Sequence, residues 1–138
     1  MTNQEPIISN YINPCSASVS TKDSAISAFW VMTQKGIQYL PVKDGKNIVG
    51  LLPVRRVRAA LTVSSKGTPK ITDLMIRHPK VCAPDTSLFN VLDETPENAA
   101  GCTVIQNKSG EISGVFTPSD AVSAFQSLIH KRRPQACA

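Results

Sequence analysis

Gly114-Val115-Phe116-Thr117-Pro118-Ser119-Asp120 closes a β run and opens a helix, and Gly50-Leu51-Leu52-Pro53-Val54-Arg55-Arg56 does the same about 64 residues earlier. Reading outward from these two stretches, the chain repeats itself. Residues 8–61 and 71–125 share one order: a short lead, a Ser-capped apolar helix, two short strands with a glycine inside the second, and a closing helix. Identical residues are few (Ile8/Ile71, Ser24/Ser87, Ile48/Ile112, Gly50/Gly114, Ala60/Ala124), so the order of elements carries the match. An internal repeat sets the architecture before any motif does. It implies two similar halves related by a pseudo-twofold axis, with two related clefts between them.

Local signals place the elements. Ala25, Ile26, Phe29, Val31 and Met32 give residues 24–35 an apolar face at helical spacing. Residues 21–24 supply N-cap candidates and Gly36 a stop. Residues 37–42 read as a strand, residues 43–47 as a turn with an Asp-Gly signal, and residues 48–52 as the return strand. Pro41 cannot donate to a ladder, so it is expected at an edge or a strand end. Val54, Val57 and Leu61 mark the next helix, and residues 62–69 form a polar linker with Gly and Pro. In the second copy, residues 81–83 are extended. A helix carries Leu88, Phe89, Val91 and Leu92, and Pro96 should end or kink it. Residues 102–105 and 111–116 form a strand pair turning at residues 107–110, and the last helix runs through Val122, Phe125 and Ile129.

The 138 residues suit one compact body, and each half alone is close to the size where a single core becomes marginal. The division expected is 1–64 for the N-terminal lead and first repeat, and 65–138 for the linker, second repeat and basic tail. No apolar run approaches the roughly 18 residues of a membrane span. The N-terminus lacks the regions of a signal peptide, so a soluble cytoplasmic protein is expected. Cysteines at 15, 82, 102 and 137 form no Cys-x-x-Cys pair, and His78 and His130 stand at no metal-ligand spacing from them. No metal site is expected, and Cys82 and Cys102 read as small buried thiols. The net charge of +5 concentrates at Arg55-Arg56-Arg58 and His130-Lys131-Arg132-Arg133. Such clusters favour anionic partners or form solvated surfaces.

Thr117-Pro118-Ser119-Asp120 reads first as a capping box, with Thr at N-cap, Pro at N1 and an acid at N3. Its surroundings add a second reading. Met75-x-x-x-Pro79, Pro84-Asp85-x-Ser87-Leu88 and Gly114-Val115-Phe116-Thr117-x-x-Asp120 recur in tandem with residues 36–42 and 48–52. This combination resembles the CBS domain, named after cystathionine β-synthase, two copies of which form a Bateman module. The resemblance covers about residues 7–126. It implies an α+β fold of two βαββα-type repeats packed with pseudo-twofold symmetry around small mixed sheets.

The resemblance also implies a sensor that binds AMP, ADP, ATP, S-adenosylmethionine or a similar adenosine compound between the repeats. Asp120 matches the residue that holds the ribose hydroxyls, and Thr117 the one beside sugar and base. Gln38 and Arg55 match positions facing the phosphates, and Ser16 and Ala17 would line the base. Ser119 and Cys102 complete the expected ligand-binding set. The chemistry is consistent: a carboxylate accepts from both hydroxyls of a cis-diol, and an arginine pairs with phosphate in a forked geometry. In the first copy, Pro53 replaces Thr and Arg56 replaces Asp, and an arginine cannot accept from a ribose hydroxyl. That second cleft is expected to be empty or to take an anion in another manner, with Arg56, Arg77 and His78 as candidate contacts. In the second copy, Val104 stands where the strand proline is usual.

Three function classes follow. The leading one is a regulatory ligand-sensing module that requires no cofactor and signals through an unidentified effector. The second is a ligand-free dimerisation or scaffolding module that joins copies through helical faces bearing Phe29 and Trp30. Nucleic-acid binding through the basic clusters ranks third, because no reading motif accompanies them and aromatic content is 5%. Catalysis is not expected: no nucleophile sits in a Ser/His/Asp or Cys/His arrangement, and no glycine-rich phosphate loop is present.

Overall fold

Ser24 starts helix α1 (Ala25–Lys35) by accepting a hydrogen bond from the Ser27 amide at 3.0 Å. Gly36 ends it at φ +66°, a left-handed conformation that costs glycine no Cβ clash. The computed structural model describes residues 5–63, 67, 69–94 and 101–132. A 3-10 turn (Ile8–Tyr11) precedes β1 (Val19–Ser20). After α1 come β2 (Tyr39–Asp44), β3 (Asn47–Pro53) and α2 (Val54–Val63). The second copy runs α3 (Ile71–Leu74), β4 (Ile76–Arg77), β5 (Lys80–Cys82), α4 (Leu88–Glu94), β6 (Thr103–Gln106), β7 (Ile112–Phe116) and α5 (Pro118–Arg132). The fold is α+β. Pro96, residues 133–138 and linker residues 64–66 and 68 lie outside the described residues.

One mixed sheet has the order β1-β2-β3-β4 and the other β5-β6-β7. In each, a short strand joins its hairpin in parallel, as with Val19↔Val42 and Cys82↔Ile105. Each hairpin has a register shift at the same place, Val42/Lys43 and Ile105/Gln106. The two turns are tied together: Lys43 Nζ donates to the Gly110 carbonyl at 3.1 Å, and Gln106 Nε2 donates to the Lys46 carbonyl at 3.0 Å.

The leads cross over. β4 belongs by sequence to the second copy, yet it pairs antiparallel with β3 of the first. In return, the Ile8 amide donates to the Thr86 carbonyl, and the Cys15 amide donates to the Ser113 carbonyl at 2.9 Å. Paired bridges make the symmetry explicit: Ile7 with Ser87, Lys70 with Ser24. The shared isoleucines are therefore exchanged plugs. Ile71 is buried in the first-copy core with Met32, Leu40 and Val57, and Ile8 in the second with Leu88, Ile105 and Phe116. A third cluster of Leu51, Cys102, Val104 and Ile112 fills the contact between the copies.

Each strand glycine makes room for the other copy's lead. A Cβ on Gly50 would collide with the Met75 side chain, and one on Gly114 would stand 2.9 Å from Ile12 Cδ1 and 3.0 Å from the Asn13 carbonyl oxygen.

Pro41 differs from expectation. It lies inside β2, an interior strand, paired with Leu51. The physical reason is that β1 reaches only Val42 and Lys43, so β2 is locally an edge at Pro41, which lines a cleft. In the second copy Val104, which keeps its N–H, pairs with Val81, and β5 continues to Lys80.

Candidate functional site

The first helix stop and the last helix start meet across the two copies. Gly36 carries the chain out of α1 so that Ile37, Gln38 and Tyr39 form one wall of a cleft of about 660 Å³. Gly114, Val115, Thr117, Ser119 and Asp120 form the opposite wall. The lead from Asn13 to Ala17 forms a third side, and Lys35 and Pro41 complete it. Its volume falls in the usual range of small-molecule sites, about 300–1,000 Å³.

Asp120 is held by the turn it opens. Its Oδ2 accepts from the Thr117 amide at 2.9 Å and the Thr117 hydroxyl at 3.0 Å, while the Asp120 amide donates to Thr117 Oγ1 at 3.2 Å. This is a reciprocal capping box. The cap does not use up the carboxylate. A carboxylate offers about four acceptor sites, and Oδ1 accepts no hydrogen bond from the described residues. The half-buried carboxylate is thus fixed in place by one oxygen with the other left free beside the cleft.

A second lobe of about 320 Å³ adjoins the first and shares its Gly36–Tyr39 wall. Arg55 and Arg58, on the first turns of α2, line it with Thr33 and Pro53. The Val54 amide, bonded to the Gln38 carbonyl at 2.8 Å, fixes α2 against this wall.

The expected residues distribute as follows. Ser16, Ala17, Gln38, Thr117, Ser119 and Asp120 line the larger lobe, and Arg55 and Gln38 the smaller. Cys102 is not among the lining residues. It is buried behind Tyr39, whose side chain hydrogen-bonds to it. Burial pushes its thiol from 9.0 up to about 11, the Tyr39 bond opposes this, and the nearby Asp120 charge adds to it. Folding therefore favours the protonated thiol, a contribution present below about pH 9 and lost toward pH 11. Tyr39 and Lys35 are lining residues that sequence reasoning missed, and Arg58 was legible only as part of the basic cluster at residues 55–58.

Around the pseudo-equivalent position, Arg56 Nη1 donates to the Leu74 carbonyl and Arg77 Nη2 to the Thr72 carbonyl, both at 3.2 Å. His78 is exposed at φ +55°, and its amide reaches the Val49 carbonyl at 3.4 Å. Among the described residues, no group of three or more His, Cys, Asp or Glu gathers to hold a metal. No helix among them is long and apolar enough to cross a membrane.

Residues 71–127 match the family model of the CBS domain. The CBS domain pair of protein MJ0100, in complex with 5′-methylthioadenosine and S-adenosyl-L-methionine, superposes with a TM-score of 0.72 at 16% identity, over 91% of this chain and 99% of that one. The chain has the fold of a CBS domain pair. CBSX2 from Arabidopsis thaliana, a CBS-pair protein, superposes at 0.69 and 19% identity over 95% of this chain and all of that one. CBSX2 in complex with AMP does so at 0.65 and 21%, over 88% and 97% of the two chains. A comparison with curated proteins returns no match. In this chain the lead exchange, the strand glycines and the cleft at Asp120 all follow from the tandem arrangement.

Proposed function

We propose that this CBS pair is a regulatory module that binds one adenosine-containing nucleotide per chain in the larger lobe and passes its occupancy to an effector. The observation that carries this reading is the Asp120 carboxylate, capped through Oδ2 and free at Oδ1, beside a cleft walled by both repeats. Oδ1 takes the ribose hydroxyls, Thr117 and Ser119 flank the sugar, and Ser16 and Ala17 bound the base. Gln38 and Arg55 lie on the phosphate side. The likeness to pairs described in complex with methylthioadenosine, S-adenosylmethionine and AMP supports the same ligand class. At the pseudo-equivalent position Arg56 offers no acceptor for a diol and spends a donor on Leu74, so it takes no nucleoside. The module works by binding rather than catalysis, in the cytoplasm.

A thermal-shift screen with AMP, ADP, ATP, S-adenosylmethionine and NADH tests the reading. A ligand that binds only the folded state adds about 2.7 kcal/mol at a hundredfold excess over Kd. At least one adenosine compound raises the melting temperature, and calorimetry gives one site per chain. No shift across the panel overturns the sensor in favour of a scaffold.

A second observation bears on assembly. Ile26 and Trp30 on α1 are 59% and 65% exposed, and Val122 and Phe125 on α5 are each 59% exposed. Apolar side chains in such number on two helices fit a second copy of the chain. Sedimentation velocity is expected to give a dimer that Trp30→Glu converts to monomer; a monomeric wild type overturns this.

A further inference from the structure

We infer that Cys102 is a positioning residue for the cleft: its sulfur anchors the Tyr39 side chain and so fixes the ring that walls both lobes. The inference rests on the reading above, in which the larger lobe takes the nucleoside. Tyr39 lines the larger and the smaller lobe alike. Its backbone is already set, since Tyr39 pairs with Pro53 in the ladder and the Gln38 carbonyl next to it accepts from the Val54 amide. What remains to be fixed is the side chain, which has staggered alternatives about its Cα–Cβ bond. The half-buried ring hydrogen-bonds through its hydroxyl to Cys102, and that bond selects one of them.

The two residues are the same position of the two copies. The hairpin register shifts fall at Val42/Lys43 and Ile105/Gln106, and an equal count back from Val42 and Ile105 reaches Tyr39 and Cys102. The pseudo-twofold axis therefore passes between two side chains that touch. One supplies bulk and the other the room for it. Tyr39 and Val115 both line the larger lobe and both pack on Leu51, Cys102, Val104 and Ile112, so the back of the cleft is the outer layer of the core between the copies. Cys102 is 1% exposed and cannot reach a ligand itself. Asp120 is close enough for its charge to act on the same thiol, so the anchor stands near the carboxylate as well. Cys102 thus acts on the site through Tyr39.

Calorimetry with AMP, ATP and S-adenosylmethionine reads affinity, and fluorine NMR of protein carrying 3-fluorotyrosine reads the ring. The chain has two tyrosines, Tyr11 and Tyr39, so two signals are expected, and Tyr39→Phe assigns them. Cys102→Ala should move the Tyr39 signal, leave that of Tyr11 in place and weaken binding about three- to tenfold, as loss of one hydrogen bond does. Tyr39→Phe, which keeps the ring and loses the hydroxyl, should weaken binding as much. The double variant should lose no more than either single one, because both remove one contact. Cys102→Ser keeps an acceptor for the hydroxyl and should restore the signal and bring affinity back within twofold. A cavity alone would lower the melting temperature of Cys102→Ala and leave affinity at the wild-type value, which overturns the inference. An unmoved Tyr39 signal, additive losses in the double variant, or a serine variant no better than alanine also overturn it, and each leaves the adenosine site standing. Failure of the wild type to bind any of the three compounds overturns that site and this inference together.

Discussion

Replacing Asp120 with alanine lowers the affinity for an adenosine nucleotide by about ten- to a hundredfold, the cost of a charged hydrogen bond worth roughly 1.5–3 kcal/mol. The effect has two parts, because the carboxylate has two tasks. Oδ2 caps α5 through the amide and hydroxyl of Thr117, and losing a cap costs about 1 kcal/mol of stability. Oδ1 is the ribose acceptor proposed above. Asp120→Asn separates them: its one oxygen can still accept from Thr117, while its NH₂ presents donors where the diol needs an acceptor. Asparagine is therefore expected to melt close to wild type yet bind nearly as weakly as alanine. Calorimetry on folded protein reads affinity and thermal denaturation reads the cap. Wild-type affinity in both variants would end the ribose assignment.

Gly114→Ala is expected to destabilise the fold by about 1–3 kcal/mol, the usual cost of overpacking a close contact. For a chain of this length that is a fall on the order of 3–12 °C in melting temperature. One of its clashes is with backbone, the Asn13 carbonyl oxygen at 3.0 Å, so relief requires moving the lead. The same lead carries Cys15, Ser16 and Ala17 into the cleft, so nucleotide affinity should fall with stability. Gly50→Ala is the control. Its contacts are with the Met75 side chain, Cγ at 2.8 Å and Cβ at 3.1 Å among them, so it too should destabilise, but Met75 lines neither lobe and affinity should stay unchanged. A loss of affinity in Gly50→Ala equal to that in Gly114→Ala would mean that the effect on binding does not run through the first lead.

The local elements were legible because their signals are local. The Ser24 cap, the Gly36 stop, both hairpins and the Thr117–Asp120 capping box each lie within a few residues of what they act on. The lead exchange was not legible, since a helical turn at Ile71 has the same apolar pattern whichever copy it plugs. Pro41 misled for a related reason. A proline reports that one flank of its strand is unpaired, but not whether the strand itself ends there. Tyr39 and Lys35 escaped notice because tertiary placement, not residue type, brings them to the cleft, and Arg58 stood out only as one of three clustered arginines. Cys102 shows the converse, a residue of suitable type placed behind the wall.

The crossing of the two leads constrains how such a chain can arise. A lone copy would be an open half, its plug isoleucine stranded and the groove beside its glycine unfilled. Two identical halves from separate molecules close on each other only if both crevices are the same, so any change in one is forced on the other. Covalent fusion lifts that bond. It lets one crevice carry Arg56 where its twin carries Asp120, so the two openings of one molecule can differ in charge.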